Sequence, residues 1–318
     1  MKIAIIGSIH KDGLEFLRKN QCEIFEINNY HDEKILNQLV NVEGIIVRTA
    51  NLTKEILSKC KKLKIVSRHG VGYDNIDTNY LNKNQIALGI TSTSNAISVS
   101  EHVMTMFLYL TKKINLSNQI TKTGNFDQRN SMPNFFELYN KNVVIFGFGR
   151  IGKEVAKRCH GFDAKIFVHD PYIDKKEIIK KNCLPIEKNE ALEIADYISI
   201  HLPLNERTKN YISLKEFKKF KENLILVNTA RGGIINEEAL YLALKENKIC
   251  GAGLDVFANE PPEKNHPLFS LENTILTPHN AALTLECRKR MSVESCENVY
   301  YYITNNSKLI KNNIIKIF

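Results

Sequence analysis

The sequence predicts an α/β protein with two doubly wound domains, each a parallel sheet with helices on its faces. Short apolar, β-branched runs alternate with stretches of helical spacing from the first residues onward, and the alternation restarts after residue 141. The chain has 318 residues, more than a single hydrophobic core usually spans, so two domains are expected.

Runs with the composition of buried strands recur through the first hundred residues. They are Lys2–Ile6, Glu23–Ile27, Gly44–Val47, Lys64–Val66 and Ile86–Ile90. The intervening spacing predicts helices over Gly13–Lys19, Glu33–Leu39 and Lys54–Cys60. Gly7 ends the first strand without a glycine fingerprint after it, so this half of the chain has no obvious dinucleotide site.

A longer apolar helix, predicted over Ser100–Ile114, begins the second domain, and a polar stretch at 121–134 follows it. Six further strand candidates then match the number expected of a doubly wound sheet. They are Val143–Phe146, Lys165–His169, Tyr197–His201, Leu224–Asn228, Gly253–Val256 and Thr274–Thr277. A last helix, Cys287–Ile303, is long enough to return to the first domain. We therefore place one domain at 1–98 with 287–318, and the other at 99–286.

The composition is that of an ordinary globular protein, with 43% hydrophobic and 25% charged residues. No apolar run approaches the ~18 residues that span a bilayer, and the first residues lack the features of a signal peptide. The seven cysteines are scattered and never form C-x-x-C, so we expect a reducing, cytoplasmic location and no metal site. The net charge of +9 comes largely from short lysine runs without interleaved aromatics, which favours solvated helix faces over nucleic-acid binding.

Residues 143–152 read VVIFGFGRIG, a strand that enters a G-x-G-x-x-G turn and then a helix. In such a turn Gly147 reverses the chain, Gly149 lets a pyrophosphate approach the backbone, and Gly152 lets helix and strand pack closely. The helix N-terminus offers free N–H groups to an anion. Glycine-rich turns also occur without any ligand, so the motif alone is weak and later residues must support it.

Asp170 ends the next predicted strand, about 20 residues after the glycines, where an acid can bind the ribose hydroxyls of an adenine nucleotide. An aspartate at a strand end is also a common turn former. Together with the glycines, the nucleotide interpretation is the better one. A carboxylate there repels a 2′-phosphate, so NAD is favoured over NADP.

Side chains that could take part in catalysis follow three later strands. They are expected at the sheet edge where open α/β sheets bind their ligands. Arg231, Glu260 and His279 arrive there, and each alone could be an ordinary surface or turn residue. Together they suit hydride transfer to a 2-keto acid. An arginine holds a carboxylate or keto oxygen bidentately, a histidine supplies a proton near neutral pH, and a carboxylate orients the imidazole.

In combination these segments resemble the D-isomer-specific 2-hydroxyacid dehydrogenase family over nearly the whole chain. The motifs are RHGVGYDNID (68–77), SNAISVSEH (94–102), GFGRIG (147–152), NTARGG (228–233), DVFANEPP (255–262) and TPHNAA (277–282). The resemblance implies a Rossmann NAD-binding domain inserted into a flavodoxin-like substrate domain, with a cleft whose closure excludes water. It also implies a homodimer formed through the cofactor domain.

The resemblance assigns Arg231 to the substrate, Glu260 to the histidine, and His279 to acid–base catalysis. Cofactor contacts are implied for Gly147, Gly149, Arg150, Ile151, Gly152, Asp170, His201, Leu202, Pro203, Thr229, Ala230 and Asp255. Of these, Asp255 is expected near the nicotinamide carboxamide.

For the substrate, the resemblance implies that N–H groups of Val71 and Gly72 receive its carboxylate. Arg48 and Arg68, near that loop, are candidates for a phosphate or a second carboxylate, and they are equally well explained as strand-end charges.

The implied activity is NAD-dependent interconversion of a small D-2-hydroxy acid and its 2-keto acid. We expect 3-phosphoglycerate and 3-phosphohydroxypyruvate first, and hydroxypyruvate, glyoxylate or D-lactate as alternatives. A further alternative is a non-enzymatic, NAD-binding corepressor, since such relatives retain the arginine, glutamate and histidine. The absence of long disordered or basic extensions disfavours that role.

Two residues beside His279 depart from the family pattern. Asn280 stands where an aliphatic residue is usual, and Ala282 where glycine is frequent. Both could alter the pocket without removing the acid. The chain ends soon after its last helix, so we expect no appended regulatory domain and no feedback control by an amino acid bound there.

Overall fold

The structure is a computed structural model that describes residues 1–27, 37–310 and 313–315. It forms two units, Met1–Asn95 with Leu283–Phe318, and Ala96–Ala282. These boundaries differ by a few residues from those predicted at 98 and 286. The difference arises because the helix that opens the second unit begins at Ala96 and the last helix begins at Leu285.

The first unit is built on a six-stranded sheet with the order β13, β5, β4, β3, β1, β2. Its strands are β1 Lys2–Ile6, β2 Glu23–Ile27, β3 Gly44–Val47, β4 Ile65–Arg68, β5 Ala87–Ile90 and β13 Ile314–Ile315. Its helices are Lys11–Lys19, Lys54–Lys59, Thr78–Lys83 and Leu285–Ile303, with 3₁₀ turns at Leu39–Asn41 and Ser307–Leu309. All pairings are parallel except that of β13 with β5.

Most of the predicted elements of the first unit are present, and two were missed. The helix Thr78–Lys83 has a local cap, because Asp77 accepts a hydrogen bond from the N–H of Tyr80 at 2.9 Å. Strand β13 is too short to show any periodicity. Residues 33–36 of the helix predicted over Glu33–Leu39 lie outside the described residues.

The second unit has a wholly parallel seven-stranded sheet with the order β12, β11, β10, β9, β6, β7, β8. Its strands are β6 Asn142–Phe146, β7 Lys165–His169, β8 Leu184–Pro185, β9 Tyr197–Ile200, β10 Ile225–Asn228, β11 Gly251–Leu254 and β12 Thr274–Leu276. Its helices are Ala96–Thr111, Ile114–Lys122, Arg150–His160, Lys175–Ile179, Lys188–Ile194, Leu214–Phe217 and Glu237–Lys245. Short 3₁₀ turns lie at Phe126–Ser131 and Pro267–Ser270.

Both faces of this sheet are buried, which explains why its strands are continuous apolar runs. On β6, Val144 and Phe146 belong to one hydrophobic core, and Val143 and Ile145 belong to the other. All six predicted strands are present, and β8 is an additional one of two residues. The fold class predicted from the sequence, two α/β domains with parallel sheets, is confirmed.

Two predictions in the second unit needed correction. Strand β11 lies at Gly251–Leu254, earlier than predicted, because Gly251 as well as Gly253 is a strand residue. A Cβ atom at Gly253 would be 2.8 Å from the sulfur of Met106. The missing side chain therefore lets the helix Ala96–Thr111 lie close against the sheet. The polar stretch at 121–134 contains a 3₁₀ turn and the end of the helix Ile114–Lys122.

A buried carboxylate in the first unit joins three parts of the chain that are distant in sequence. Glu294, on the last helix, is 6% exposed. It accepts hydrogen bonds from the hydroxyl of Thr93 at 2.9 Å, from the Asn313 amide at 2.8 Å, and from the hydroxyl of Ser94. The helix, the loop after β5 and the segment before β13 are therefore held at one point.

We expect the Glu294→Ala variant to be clearly less stable, because its donors would be buried without an acceptor. Hydrogen bonds to charged groups contribute about 1.5–3 kcal/mol each and do not add, so the free energy of unfolding should fall by about 3 kcal/mol. Denaturant titration measures this change. Lys289→Ala, at an exposed position of the same helix, is the control and should cost under about 0.5 kcal/mol. Equal stability of the two variants would contradict the prediction.

Candidate active site

The glycine motif forms a tight turn between β6 and the helix Arg150–His160. A Cβ atom at Gly147, whose φ is +93°, would be 2.6 Å from the carbonyl oxygen of His201. One at Gly152 would be 2.2 Å from the carbonyl oxygen of Gly147. Gly149, by contrast, has open space above it and precedes the helix without a side-chain cap. The backbone N–H groups there remain accessible to an anion.

The turn lies where the strand order of the sheet reverses. β6 is flanked by β9 on one side and by β7 on the other, which makes the end of β6 the crevice where open α/β sheets bind nucleotides. At the end of β7, the Asp170 carboxylate accepts hydrogen bonds from the N–H groups of Phe148 at 2.8 Å and Tyr172 at 3.0 Å. Asp170 is therefore held beside the glycine turn, as expected of a residue that binds the adenosine ribose.

The other predicted cofactor residues lie along the same edge of the sheet. Leu202, followed by Pro203, comes within 3.3 Å of the position of a Cβ at Gly147. Thr229, with Ala230 after β10, is buried, and its hydroxyl has no partner among the described residues. An unsatisfied buried hydroxyl next to an open crevice fits a ligand contact.

Three of the predicted cofactor residues contribute less through their side chains than the sequence suggests. Ile151 packs against the hydrophobic core, so only its backbone faces the turn, and Arg150 is exposed at the first helical position. The His201 imidazole turns inward, with Nε2 2.7 Å from the hydroxyl of Ser199. Burial lowers the pKa of His201 to about 3, so the ring is neutral and its carbonyl is the group facing Gly147.

Glu260 and His279 form a hydrogen-bonded pair at the opposite end of the sheet edge. Oε2 of Glu260 is 2.8 Å from Nδ1 of His279, and Oε1 accepts from the N–H of Phe257 at 3.1 Å. Burial raises the pKa of Glu260, but these two hydrogen bonds and the charges of His279 and Arg231 outweigh it and lower the pKa below its ordinary 4.5. Glu260 is therefore a carboxylate at neutral pH, and Nε2 of His279 is left for other partners.

Arg231 follows β10 in a loop that is organised by Asn228. The Asn228 side chain accepts from the N–H of Ala230 at 3.0 Å and donates to the carbonyl of Arg231 at 2.8 Å. Arg231 itself donates to the carbonyl of Ala230 at 2.7 Å and lies within electrostatic range of Glu260. The structure thus brings Arg231, Glu260 and His279 to one end of the sheet.

The loop that carries His279 is fixed by Asp255, a carboxylate that is 1% exposed. Asp255 accepts hydrogen bonds from the hydroxyl of Thr277 at 2.6 Å and from the N–H groups of Asn280 at 2.9 Å and Ala281 at 3.0 Å. His102 joins the cluster through Nε2, 3.0 Å from the Thr277 hydroxyl. The contact expected between Asp255 and nicotinamide stays a prediction, whereas the role of Asp255 as anchor of this loop is visible in the structure.

The predicted substrate residues lie in the first unit. Arg48 directly follows β3, Arg68 ends β4, and Val71 and Gly72 belong to the loop after β4. Burial and then the charges of Arg68 and Arg48 lower the pKa of the neighbouring His69 to about 4, so its imidazole is neutral. The Arg68 guanidinium donates to the carbonyl of His69 and so supports its own loop.

Comparison with known proteins identifies the family. The model of the D-isomer specific 2-hydroxyacid dehydrogenase NAD-binding domain matches residues 104–281. The chain belongs to this family. The match includes the glycine turn, Arg231, Glu260 and His279, and it confirms both the resemblance inferred from the motifs and NAD as the cofactor.

Relatives within the 2-hydroxyacid dehydrogenase family carry several different names. The hydroxypyruvate reductase of Thermotoga maritima is 36% identical over 307 residues, which cover 94% of this chain and 97% of that protein. The D-3-phosphoglycerate dehydrogenase of Archaeoglobus fulgidus is 33% identical over 94% of this chain, but the chain spans only 56% of its length. A solved structure of the Aquifex aeolicus D-lactate dehydrogenase, complexed with NAD and lactic acid, has a TM-score of 0.86 at 27% identity, with 98% of both chains covered.

Several residues that shape this family's site were not predicted from the sequence. Thr277 and His102 act because β11, β12 and the helix Ala96–Thr111 are neighbours in space, whereas Asn228 acts through local bonds in its own loop. Within the described residues, no group of three or more His, Cys, Asp or Glu side chains could hold a metal ion. No helix in the described part of the chain is long and apolar enough to cross a bilayer.

We expect Asp255→Ala to loosen the His279 loop, because the Thr277 hydroxyl and two N–H groups would lose their acceptor. A lost hydrogen bond to a charged group of about 1.5–3 kcal/mol corresponds to roughly 10- to 100-fold faster opening. Hydrogen exchange of the Asn280 and Ala281 amides measures it. Amides of the helix Arg150–His160 serve as the internal control. Unchanged exchange at residues 280 and 281 would show that another contact holds the loop.

Proposed function

We propose that the protein is an NAD-dependent oxidoreductase that interconverts a small D-2-hydroxy acid and its 2-keto acid. The hydrogen-bonded pair of Glu260 and His279, with Arg231 within electrostatic range, is the observation that carries this proposal. The two residues follow β11 and β12, which belong to the same sheet as β6, the strand that leads into the glycine turn. Membership of the family supports the reaction class.

Each of the three side chains has a distinct chemical task. NAD, when bound, supplies or accepts the hydride at the substrate's carbon 2. Because Nδ1 of His279 bonds to Glu260, Nε2 is the nitrogen that gives a proton to the keto oxygen or takes one from the hydroxyl. The Glu260 carboxylate stabilises the protonated imidazole, and the Arg231 guanidinium holds the substrate's oxygens bidentately.

For the substrate, we propose 3-phosphoglycerate and 3-phosphohydroxypyruvate first. Arg48 and Arg68 supply positive charge beside the loop of Val71 and Gly72, which suits a substrate with a second anionic group. The phosphoglycerate dehydrogenase among the relatives supports this choice. Hydroxypyruvate, glyoxylate and D-lactate are the alternatives, since proteins named for these compounds are 36%, 33% and 27% identical to this chain.

We also propose a cytoplasmic homodimer that uses small-molecule substrates and does not bind nucleic acid. Several large apolar side chains are exposed between residues 114 and 139, which supports a protein interface on the second unit. They are Ile114, Phe126, Phe135 and Tyr139. All seven cysteines are free thiols, as expected in a reducing compartment.

Oxidation of NADH with a panel of 2-keto acids tests the proposal directly. The panel contains 3-phosphohydroxypyruvate, hydroxypyruvate, glyoxylate and pyruvate, and absorbance at the NADH band follows turnover. We expect the largest kcat/KM for 3-phosphohydroxypyruvate. Tight NADH binding without turnover of any of these compounds would instead favour a binding protein of the corepressor type.

The His279→Ala variant, assayed with the best substrate of that panel, tests the acid–base assignment. We expect kcat to fall about 10²- to 10⁴-fold, the usual contribution of general acid–base catalysis, while the NADH dissociation constant changes less than about twofold. NADH fluorescence titration measures the binding. An equal loss of turnover and NADH binding would show that His279 is structural.

The Asp170→Asn variant tests the preference for NAD, because it removes the charge and keeps the shape of the side chain. Repulsion of a 2′-phosphate near a partly solvated carboxylate amounts to about 1–2 kcal/mol, so the ratio of NADPH to NADH dissociation constants should fall about 5- to 30-fold. Fluorescence titration with both nucleotides measures the ratio. Asp174→Asn removes an equal charge nearby and is the control. The same ratio in both variants would contradict the role of Asp170.

A further inference from the structure

A second carboxylate–histidine pair lies close to the proposed catalytic pair. Oε2 of Glu237 is 3.0 Å from Nε2 of His266. Glu237 is the first residue of the helix Glu237–Lys245, and His266 precedes the 3₁₀ turn Pro267–Ser270. The side chains are only 18% and 15% exposed. Both side chains are therefore largely shielded from solvent.

Glu237 and Glu260 bind neighbouring N–H groups of the same backbone segment. Oε1 of Glu237 accepts from the N–H of Ala258 at 2.6 Å, while Oε1 of Glu260 accepts from the N–H of Phe257 at 3.1 Å. Two consecutive amides are thus held by two different carboxylates. Any shift of Ala258 away from Glu237 therefore moves the donor that orients Glu260.

Ring contacts and a close backbone approach fix the same segment. The His266 ring meets that of Phe257 edge-on, with centroids 5.8 Å apart, and lies 5.4 Å from that of Phe269. A Cβ atom at Gly232 would be 1.9 Å from the Phe257 carbonyl, so the loop of Arg231 presses directly on Phe257. Phe257 therefore contacts the loop of Arg231 through its carbonyl group and binds Glu260 through its N–H group.

Packing alone does not hold Glu260 in place. An apolar cavity of about 330 Å³ lies against it. The cavity is lined by Phe257, Pro261, Pro262, Phe269, Leu276 and Pro278, together with Glu260 and His279. On that side Glu260 has no close-packed protein neighbours, so its hydrogen bonds set its orientation.

We infer that Glu237 and His266 are positioning residues, which fix the segment 257–260 and thereby orient Glu260 toward His279. This inference rests on the proposed function for its kinetic test, though not for its spectroscopic one. The ordinary alternative is that Glu237 only complements the helix dipole and that His266 only fills space. That alternative predicts a loss of stability with unchanged chemistry.

The Glu237→Ala variant tests the inference, with Glu238→Ala, at the exposed neighbouring position, as the matched control. We expect kcat to fall about 10- to 30-fold, as for a lost hydrogen bond to a charged group, with NADH affinity within about twofold. Glu237→Gln, which keeps an acceptor for Ala258, should restore most of the rate. Activity equal to that of Glu238→Ala would overturn the inference.

A double variant separates positioning from general damage. If Glu237 acts through Glu260, adding Glu237→Ala to Glu260→Gln should change kcat less than about twofold, because the group being oriented is already altered. A full further 10-fold loss would overturn the inference. His266→Phe keeps the ring contacts and removes the hydrogen bond, so it replaces Glu237→Ala if the latter does not fold.

The pH dependence provides a second readout. The charged groups that face Glu260 are His279 and Arg231, and the N–H of Phe257 is one of the donors that lower its pKa. In Glu237→Ala this donor shifts away, so the pKa of Glu260 rises toward 4.5 and the acid limb of kcat/KM moves to higher pH. An unmoved acid limb in a slower variant would contradict positioning.

A measurement without turnover distinguishes failure of this inference from failure of the proposed function. In protein labelled with ¹³C-histidine, the NMR titration of His279, assigned from His279→Ala, should differ between Glu237→Ala and Glu238→Ala. Wild-type protein inactive toward every 2-keto acid would refute the proposed function and leave this titration informative. Identical His279 titrations in the two variants would refute the inference even in an active enzyme.

Discussion

The active-site end of the second unit depends on one buried carboxylate. Asp255 cannot be removed from water at low cost unless its oxygens accept hydrogen bonds, and Thr277, Asn280 and Ala281 provide the donors. His279 lies between these donors, in the left-handed region with a φ of +50°. The loop that carries His279, the proton donor of the proposed reaction, is therefore held by Asp255. Asp255 follows β11, the strand next to β12, which precedes His279.

The six residues from Asp255 to Glu260 organise all three catalytic candidates. Asp255 holds the His279 loop, Phe257 donates to Glu260, and the Phe257 carbonyl presses on Gly232 beside Arg231. These contacts share one short piece of backbone. The family motif DVFANEPP is thus a structural unit as much as a source of one catalytic side chain.

The parts of the molecule that were predicted from the sequence are those with local causes. Strand positions and the G-x-G-x-x-G turn follow from periodicity and from glycine's backbone freedom, and Asp170 follows from its place at a strand end. The partners of Asp255 and Glu237 could not be predicted, because they depend on which strands are neighbours in space. His201 was assigned to the cofactor, although alternation along the strand places it on the same face as Ser199, where its ring is in fact found.

The cofactor end and the chemical end of the site are built in different ways, and this explains why the family is easier to recognise than the substrate. The glycine turn, the candidate NAD site, has a geometry that tolerates only glycine at Gly147 and Gly152, so substitutions there are strongly restricted. The substrate candidates Arg48 and Arg68 are side chains at strand ends of the first unit, where the backbone does not restrict the residue type as it does at the glycines. Relatives that are 33% and 36% identical to this chain accordingly bear the names of different substrates.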